Sequence, residues 1–167
     1  MPYIKDKRPE TMLLEGEWNV GAYKYKAPHL LEEFVQGLKE KKLIGSMCIG
    51  CGKVIIPPRN ICGRCHQRME GRITVSNWGT VVCFVTSPPV EKGKFQVFGI
   101  DPVESGLIQE GSVLIPTFVR FDGADANIVT ELCNVDPKDV FIGMRVKAIW
   151  AEEPQGQLSD LVGVEPI

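Results

Sequence analysis

The stretch 48-CIGCGKVIIPPRNICGRC-65 decides the fold of this chain. It contains two Cys-x-x-Cys pairs, Cys48 with Cys51 and Cys62 with Cys65, separated by ten residues. Each pair can form a tight turn that directs two sulfur atoms at one point, and two facing turns make a tetrahedral four-sulfur site. That donor set suits zinc or a rubredoxin-like iron. The spacing therefore predicts a metal-bound ribbon in which all four thiols are ligands.

Glycines accompany the cysteine pairs. Gly50 and Gly52 flank Cys51, and Gly63 follows Cys62. Turn geometry, or close approach of the backbone to sulfur, would favour small residues at these places. The glycines therefore strengthen the prediction of two metal-binding turns.

Composition narrows the class of protein. The chain has 167 residues, 44% of them hydrophobic and 24% charged, so an ordinary packed core is feasible. It contains no run of about 18 apolar residues, so no membrane span is predicted. The segment 1–18 has mixed charges and no apolar core, which predicts no export signal and a reducing, cytoplasmic location. In that compartment clustered cysteines are more often metal ligands than disulfides.

Two further cysteines stand apart from the pairs. Cys83 and Cys133 each lie alone in apolar, strand-like sequence. A free cysteine in such a setting usually behaves as a small buried hydrophobic residue. The sequence therefore predicts that both thiols lie in the core.

Charge is distributed unevenly along the chain. Residues 39–72 hold eight Lys and Arg against two Glu, a balance of +6, whereas residues 73–167 hold six basic and thirteen acidic residues, a balance of −7. This asymmetry suggests two units with different partners. Part of the positive charge would serve only to offset the four thiolates.

The N-terminal segment has two parts. Residues 1–27 are polar with scattered aromatic side chains, among them Trp18, Tyr23 and Tyr25, and are predicted to be an extended arm that lies on another surface, its own or a partner's. From Pro28 the apolar residues follow the spacing of one helical face, which predicts an amphipathic helix. The apolar positions are Leu30, Leu31, Phe34, Val35 and Leu38. Such a face either covers the edge of the core or contacts a partner.

After the cysteines every signal is typical of β-strands. The segments rich in Val, Ile, Phe and Thr are RITVSNWGTVVCFVTS, KFQVFGID, SVLIPTFVRF, NIVTELCNV, MRVKAIW and DLVGVEP. Gly, Pro and Asp separate them, and no helix of length intervenes. Five or six short strands in this space predict a small closed or nearly closed barrel. Gly79, inside an apolar strand, predicts a sharp bend or a bulge.

These segments together resemble the DUF35 family of zinc-ribbon and OB-fold proteins associated with acyl-CoA. The resemblance rests on CIGCGKVIIPPRNICGRC, the preceding LLEEFVQGLKEKKLIGSM and EGEWNVGAYKYKA, and the later NWGTVVCFVTS and VFIGMRVKAIW. It implies a mainly β fold with an N-terminal arm and helix (1–42), a rubredoxin-like zinc ribbon (43–72) and a five-stranded OB-fold barrel (73–167). The implied role is that of an accessory subunit without a catalytic site of its own. Such a subunit docks on a larger enzyme of the thiolase superfamily or on a hydratase, and helps to bind or channel an acyl-CoA. A thiolase partner is the one predicted here, with an aromatic β-oxoacyl-CoA such as benzoylsuccinyl-CoA as an example of the substrate.

The basic ribbon suggests where CoA would be bound. A guanidinium such as that of Arg59 can hold a phosphate or a carboxylate in a bidentate fork, although a solvated Arg or an intramolecular salt bridge is an equally ordinary role. With the resemblance, Lys53, Arg59 and Arg64 are predicted to contact the CoA phosphates. The arm and the helix from Leu30 to Leu38 are predicted to dock on the larger subunit.

An independent acyl-transfer site is missing from the sequence. The chain has two histidines, His29 at the start of the helix and His66 beside Cys65, and no Gly-x-Ser-x-Gly motif or phosphate-binding glycine loop. Four thiolates around one metal also leave no coordination position open for a substrate. No catalytic residue is therefore assigned.

Two other functions fit a ribbon joined to a barrel. Some proteins that bind single-stranded nucleic acid have this architecture, and the basic segment 39–72 is compatible with it. The acidic balance of residues 73–167 argues against it, because a groove that tracks phosphates is usually basic. A rubredoxin-like electron carrier would need iron and would have no obvious use for the barrel.

Overall fold

A computed structural model describes residues 28–94 and 100–167. The predicted arm, with Trp18, Tyr23 and Tyr25, lies outside these residues, as does the segment 95–99 of the predicted strand KFQVFGID. Among the residues described, no helix is long and apolar enough to cross a bilayer.

The described residues form one α-helix, eight strands and two short 3-10 turns. Their bounds are α1 (His29–Lys39), β1 (Leu43–Met47), β2 (Val54–Ile55), β3 (Gly71–Val75), β4 (Trp78–Phe84), β5 (Pro116–Phe121), β6 (Ile128–Glu131), β7 (Arg145–Trp150) and β8 (Leu161–Pro166), with the 3-10 turns at Pro137–Asp139 and Leu158–Asp160.

Helix α1 buries its apolar face inside this chain. Pro28 is the N-cap rather than the first helical residue, and Phe34 and Leu38 are buried in the core. A Cβ at Gly37 would collide with Cγ1 of Ile44, so glycine lets the helix lie directly on β1. The helix therefore covers the edge of the core with Phe34 and Leu38, while Leu30 and Val35 are only half-buried, and docking of this face on a partner remains a proposal.

The ribbon is a small three-stranded antiparallel sheet in the order β2-β1-β3. Strand β1 pairs with β3 along its whole length, from Leu43 opposite Val75 to Met47 opposite Gly71. Strand β3 crosses position 72, where the sequence suggested a boundary between ribbon and barrel, and then leads into β4. The division into segments 1–42, 43–72 and 73–167 remains a proposal.

The other five strands close into a barrel. Their order is β6-β5-β4-β7-β8, with every neighbouring pair antiparallel. A parallel bridge between Leu132 and Val164 joins the two ends, and the N–H of Cys133 donates to the carbonyl of Val164 at 2.8 Å. This is the Greek-key connectivity of an OB-fold. The predicted fold, mainly β with a ribbon and a five-stranded barrel, is confirmed.

The connection between β4 and β5, residues 85–115, is longer than the sequence suggested. The predicted strand SVLIPTFVRF enters the sheet only at Pro116. Residues 112–114 instead bond to the start of the same connection, with the N–H of Ser87 donating to Leu114 at 2.9 Å and that of Val90 donating to Ser112 at 2.9 Å. The bond from Ser87 to Leu114 keeps the register in which Phe84 pairs with Thr117, so the β4–β5 pairing continues irregularly beyond the ends of the two strands.

Strand β4 contains both a close approach and a bulge. A Cβ at Gly79 would lie 2.8 Å from the carbonyl oxygen of Arg120 and 3.1 Å from Cα of Phe121 on β5, which explains the glycine. The bulge lies further along, between Val81 and Cys83. The bulge reverses the facing of the residues that follow, so Cys83 is exposed and not buried as predicted. Cys133 is half-buried.

The ribbon and the barrel share one hydrophobic core and one polar clamp. Val54 and Ile56 from the ribbon belong to the same buried cluster as the barrel residues. Asp125, in the β5–β6 loop, accepts from Lys53 Nζ at 2.5 Å and from the Val54 N–H at 2.9 Å, while its own N–H donates to the Val54 carbonyl at 2.8 Å. The Lys53 side chain and then the Val54 N–H lower the pKa of Asp125. These contacts fix the base of the ribbon against the barrel.

Candidate metal centre

Each cysteine pair forms a turn with the same hydrogen bonds. In the first, the Cys48 N–H donates to the Lys53 carbonyl at 2.9 Å and the Gly52 N–H donates to the Cys48 carbonyl at 2.8 Å. In the second, the Cys62 N–H donates to Gln67 at 2.9 Å and the His66 N–H donates to Cys62 at 2.9 Å. The two turns are therefore structural repeats that present their sulfurs in the same way.

The turns bring four sulfurs together in the geometry of a metal site. The Sγ atoms of Cys48 and Cys65 are 3.4 Å apart, those of Cys51 and Cys62 are 3.6 Å apart, and all four lie within 4.8 Å of one another. A tetrahedral zinc with Zn–S bonds of about 2.3 Å requires sulfur–sulfur distances of about 3.8 Å. The predicted ligands are therefore the residues that the fold brings together, positioned for zinc.

The sulfurs lie in a closed site, and the hydrogen bonds to Cys62 favour its thiolate. Cys48 and Cys62 are buried, packed with Met69, and Cys51 and Cys65 are half-buried. The N–H groups of Cys65 and Arg64 bond to Sγ of Cys62 and lower its pKa to about 6. All four donors would be used by one ion, so the arrangement suits a structural metal and leaves no position for substrate activation.

The glycine predictions are confirmed in part. Gly52 has a positive φ of 72°, and a Cβ at Gly50 would overlap the side chain of Gln67. Gly63 has open space around its Cα and no positive φ, so neither turn geometry nor close approach requires glycine there. The residue that matches Gly52 in the second turn is His66, with φ 59°. Alignment of the two Cys-x-x-Cys pairs would have revealed this position, because Gly52 and His66 each directly follow the second cysteine of their pair.

Replacing His66 by Gly should stabilise the zinc-loaded protein. A side chain at positive φ costs roughly 1–2 kcal/mol, and the greater freedom of glycine in the unfolded chain offsets part of this, so we expect a gain of up to about 1 kcal/mol in the free energy of unfolding. His66→Ala retains Cβ and is the control. Urea denaturation at saturating zinc measures the difference, and equal stability of the two variants would contradict the explanation.

The three predicted CoA contacts lie in different settings. Lys53 is engaged by Asp125. The backbone of Arg59 is held by the buried Ser46, whose Oγ accepts from the Arg59 N–H at 2.9 Å. The Arg59 and Arg64 side chains are exposed, and neither makes an ion pair with a carboxylate in the described part of the chain. Two guanidinium groups of the ribbon are therefore available to an anion, and the lysine already has a structural partner.

One histidine lies in a contact between the helix and the ribbon, and the other is exposed. His29 Nε2 lies 2.9 Å from Oε1 of Glu33, whose other oxygen bonds to Nε of Arg72 in the ribbon. His66 is exposed, as predicted for a residue on the ribbon surface.

A family model and a known relative match this chain. Residues 35–70 match the family model described as "ChsH2, rubredoxin-like zinc ribbon domain". A DUF35 domain-containing scaffold protein of Methanocaldococcus jannaschii is 31% identical over 113 residues, which cover 65% of this chain and 67% of that protein. This chain belongs to the DUF35 family. The family membership predicted from the sequence is thereby confirmed.

Solved structures agree with the DUF35 fold. A DUF35 family protein of Sulfolobus solfataricus aligns with a TM-score of 0.57 at 19% identity, over 81% of this chain and 84% of that one. A chain of the Ltp2-ChsH2(DUF35) aldolase aligns with a TM-score of 0.56 at 16% identity, over 86% of this chain and 98% of its own length. At these identities the likeness concerns the fold.

Proposed function

We propose that this DUF35 protein is an accessory subunit without a catalytic site of its own. It docks on a larger catalytic subunit of the thiolase superfamily and helps to bind or channel an acyl-CoA. The observation that carries the proposal is the closed four-thiol site, which uses the clustered nucleophiles of the chain as metal ligands. The scaffold protein of M. jannaschii and the ChsH2 part of an aldolase complex support an assembling role.

The metal in this proposal is one structural zinc held by Cys48, Cys51, Cys62 and Cys65. Zinc would complete the ribbon, and through the core shared by ribbon and barrel it would keep the basic surface in a fixed position. The acyl-CoA is proposed to lie beside that surface, with its phosphates near Arg59 and Arg64. Lys53 would add positive charge near the phosphates while it remains paired with Asp125. An aromatic β-oxoacyl-CoA such as benzoylsuccinyl-CoA is the substrate suggested by the family resemblance.

Purification of the tagged chain from its native cells tests the accessory role. We expect a larger subunit to elute in fixed stoichiometry, and we expect thiolysis of a β-oxoacyl-CoA by the complex but not by the isolated zinc-loaded chain. Turnover by the isolated chain at the rate of a whole thiolase, or elution of the chain alone, would refute the proposal.

The ligand role of the ribbon is tested separately in the complex. Each exposed ion pair with phosphate contributes about 1 kcal/mol or less, so Arg59→Ala with Arg64→Ala should raise KM for acyl-CoA several-fold and leave kcat unchanged. Lys138→Ala, which removes a cation in the barrel region, is the matched control. Unchanged KM in the double variant would show that the ribbon does not contact the ligand, while the accessory role would stand.

A further inference from the structure

One outer face of the barrel is apolar although nothing in the described structure covers it. The residues of this face form three rows that run across β4, β5 and β6. The pairing register of the strands defines the rows, together with hydrogen bonds at the strand ends. The rows are Val85, Pro116 and Glu131; Cys83, Phe118 and Val129; and Thr80, Arg120 and Asn127. We call these nine residues the Phe118 face. Val85 is 64% exposed, Phe118 45% and Val129 58%, so its centre is open to solvent.

The bulge in β4 creates this face. Before the bulge Val81 opposes Val119, and both are buried. After it Cys83 opposes Phe118, and both are exposed. Strand β5 alternates strictly between exposed and buried residues, which places Phe118 and Arg120 on the same outer side. The outward position of the apolar row is therefore built into the sheet and does not depend on a mobile loop.

A hydrophobic turn extends the face beyond β4. Phe141 is 58% exposed and Ile142 is 68% exposed, and the next residue, Gly143, donates its N–H to the Val81 carbonyl at 2.8 Å. This bond holds the turn beside the bulge on the side of β4 away from β5. Two large exposed apolar residues thus directly precede the glycine that is bonded to β4 at the bulge.

The charge of the face differs from that of the barrel region as a whole. Residues 73–167 carry a balance of −7, yet the face has one acidic residue, Glu131, whose Oε1 already accepts from the Ile115 N–H at 2.5 Å. Its one cation, Arg120, donates through Nε to Asn127 at 3.1 Å and forms no ion pair with a carboxylate of the described residues. Few charges, an aromatic anchor and an arginine are the composition of the centre of a protein interface.

Nucleic acid is a poor match for this face. OB-folds that bind single strands use several aromatic platforms within a basic groove. Trp78 and Phe141 are also exposed near the single ring and guanidinium of the Phe118 face, but the cations opposite Trp78 and Thr80 on β7 are already paired with carboxylates. Its chemistry favours a folded protein with an apolar patch and a carboxylate placed to pair with Arg120.

We propose that the Phe118 face docks on the catalytic subunit. The inference rests on the proposed accessory function and identifies the surface that performs it. Helix α1 has less of its apolar face to offer a partner, because Phe34 and Leu38 are buried in the core of this chain. The subunit covers Phe118 and Val129 with apolar side chains and presents an Asp or Glu to the guanidinium of Arg120.

Cys83 is a natural probe at the centre of the face. We expect iodoacetamide to alkylate Cys83 readily in the free zinc-loaded chain. In the purified complex the alkylation rate should fall to about one tenth of that value or lower. Mass spectrometry of the peptide that contains Cys83 measures both rates. The same rate in free chain and complex would overturn the assignment of the surface while leaving the accessory role intact. Slow alkylation in dilute free chain would show that residues 1–27 cover the face. A rate that falls as the free chain is concentrated would show self-association. Either result would overturn the assignment to the catalytic subunit.

A matched pair of valines tests the same surface by mutation. Val129→Glu places a carboxylate in the centre of the face, whereas Val162→Glu makes the same change on β8, at a position 49% exposed. We expect Val129→Glu to weaken binding of the catalytic subunit about tenfold or more, and Val162→Glu to change it within about twofold. Equal affinities of the two variants, both folded by circular dichroism, would overturn the proposal.

Discussion

The Cys62→Ser chain is expected to lose its zinc and its folded ribbon. Zinc binding to a four-thiolate ribbon contributes on the order of 10 kcal/mol to folding, and the change removes a buried ligand. The separate cluster around the sulfurs is small, with Met69 as the buried side chain beside Cys48 and Cys62, so its remaining contacts cannot compensate. Because Val54 and Ile56 also belong to the barrel core, we expect the loss to lower the stability of the barrel as well.

Elemental analysis and hydrogen exchange measure this outcome. The wild-type chain should hold one zinc, and the variant should hold much less and exchange the amides of β1 and β2 rapidly. Cys83→Ser removes an exposed thiol outside the cluster and should retain both metal and protection. A red, iron-containing wild-type protein would refute the zinc assignment, as would a Cys62→Ser variant with full zinc content.

Gly79→Val is expected to disrupt the barrel. A Cβ at this position would lie 2.8 Å from the carbonyl oxygen of Arg120 and 2.8 Å from Cγ1 of Val119. Gly79 pairs with β5 on one side and β7 on the other, so the backbone cannot move away without breaking hydrogen bonds to one of these strands. Overpacking of this kind costs roughly 1–3 kcal/mol for a methyl group, and we expect the branched Val side chain to exceed that and prevent folding.

Gly79→Ala adds only a methyl group, so the variant should still fold and its loss of stability can be measured. Urea unfolding should show a loss of about 1–3 kcal/mol for Gly79→Ala. Gly63→Ala, where a Cβ meets nothing within 4 Å, should change stability by less than about 0.5 kcal/mol. If Gly79→Ala were as stable as Gly63→Ala, the close approach of β4 and β5 would not be the reason for the glycine.

Local patterns in the sequence determined the ribbon, the helix and most of the strands. The metal ligands could be predicted because each Cys-x-x-Cys pair sets the position of its own sulfurs through a turn of a few residues. The helix could be predicted because its apolar spacing repeats within one element. The barrel followed from short β-rich segments separated by turn residues, although the segment 112–115 has strand composition and lies outside the regular bounds of β5.

Tertiary structure alone decided which surfaces remain open to a partner. The sequence could not show that β1 and the core cover Phe34 and Leu38 of α1, because that contact joins separate elements. Lys53 finds Asp125 72 residues along the chain, so a predicted CoA contact became part of the clamp between ribbon and barrel. The bulge near Val82 shifts the in–out alternation of β4 by one residue, since two residues on one strand then oppose one on the next. That shift placed Cys83 outside, beside Phe118, because the side-chain period of a strand is two and a single extra residue reverses every facing that follows.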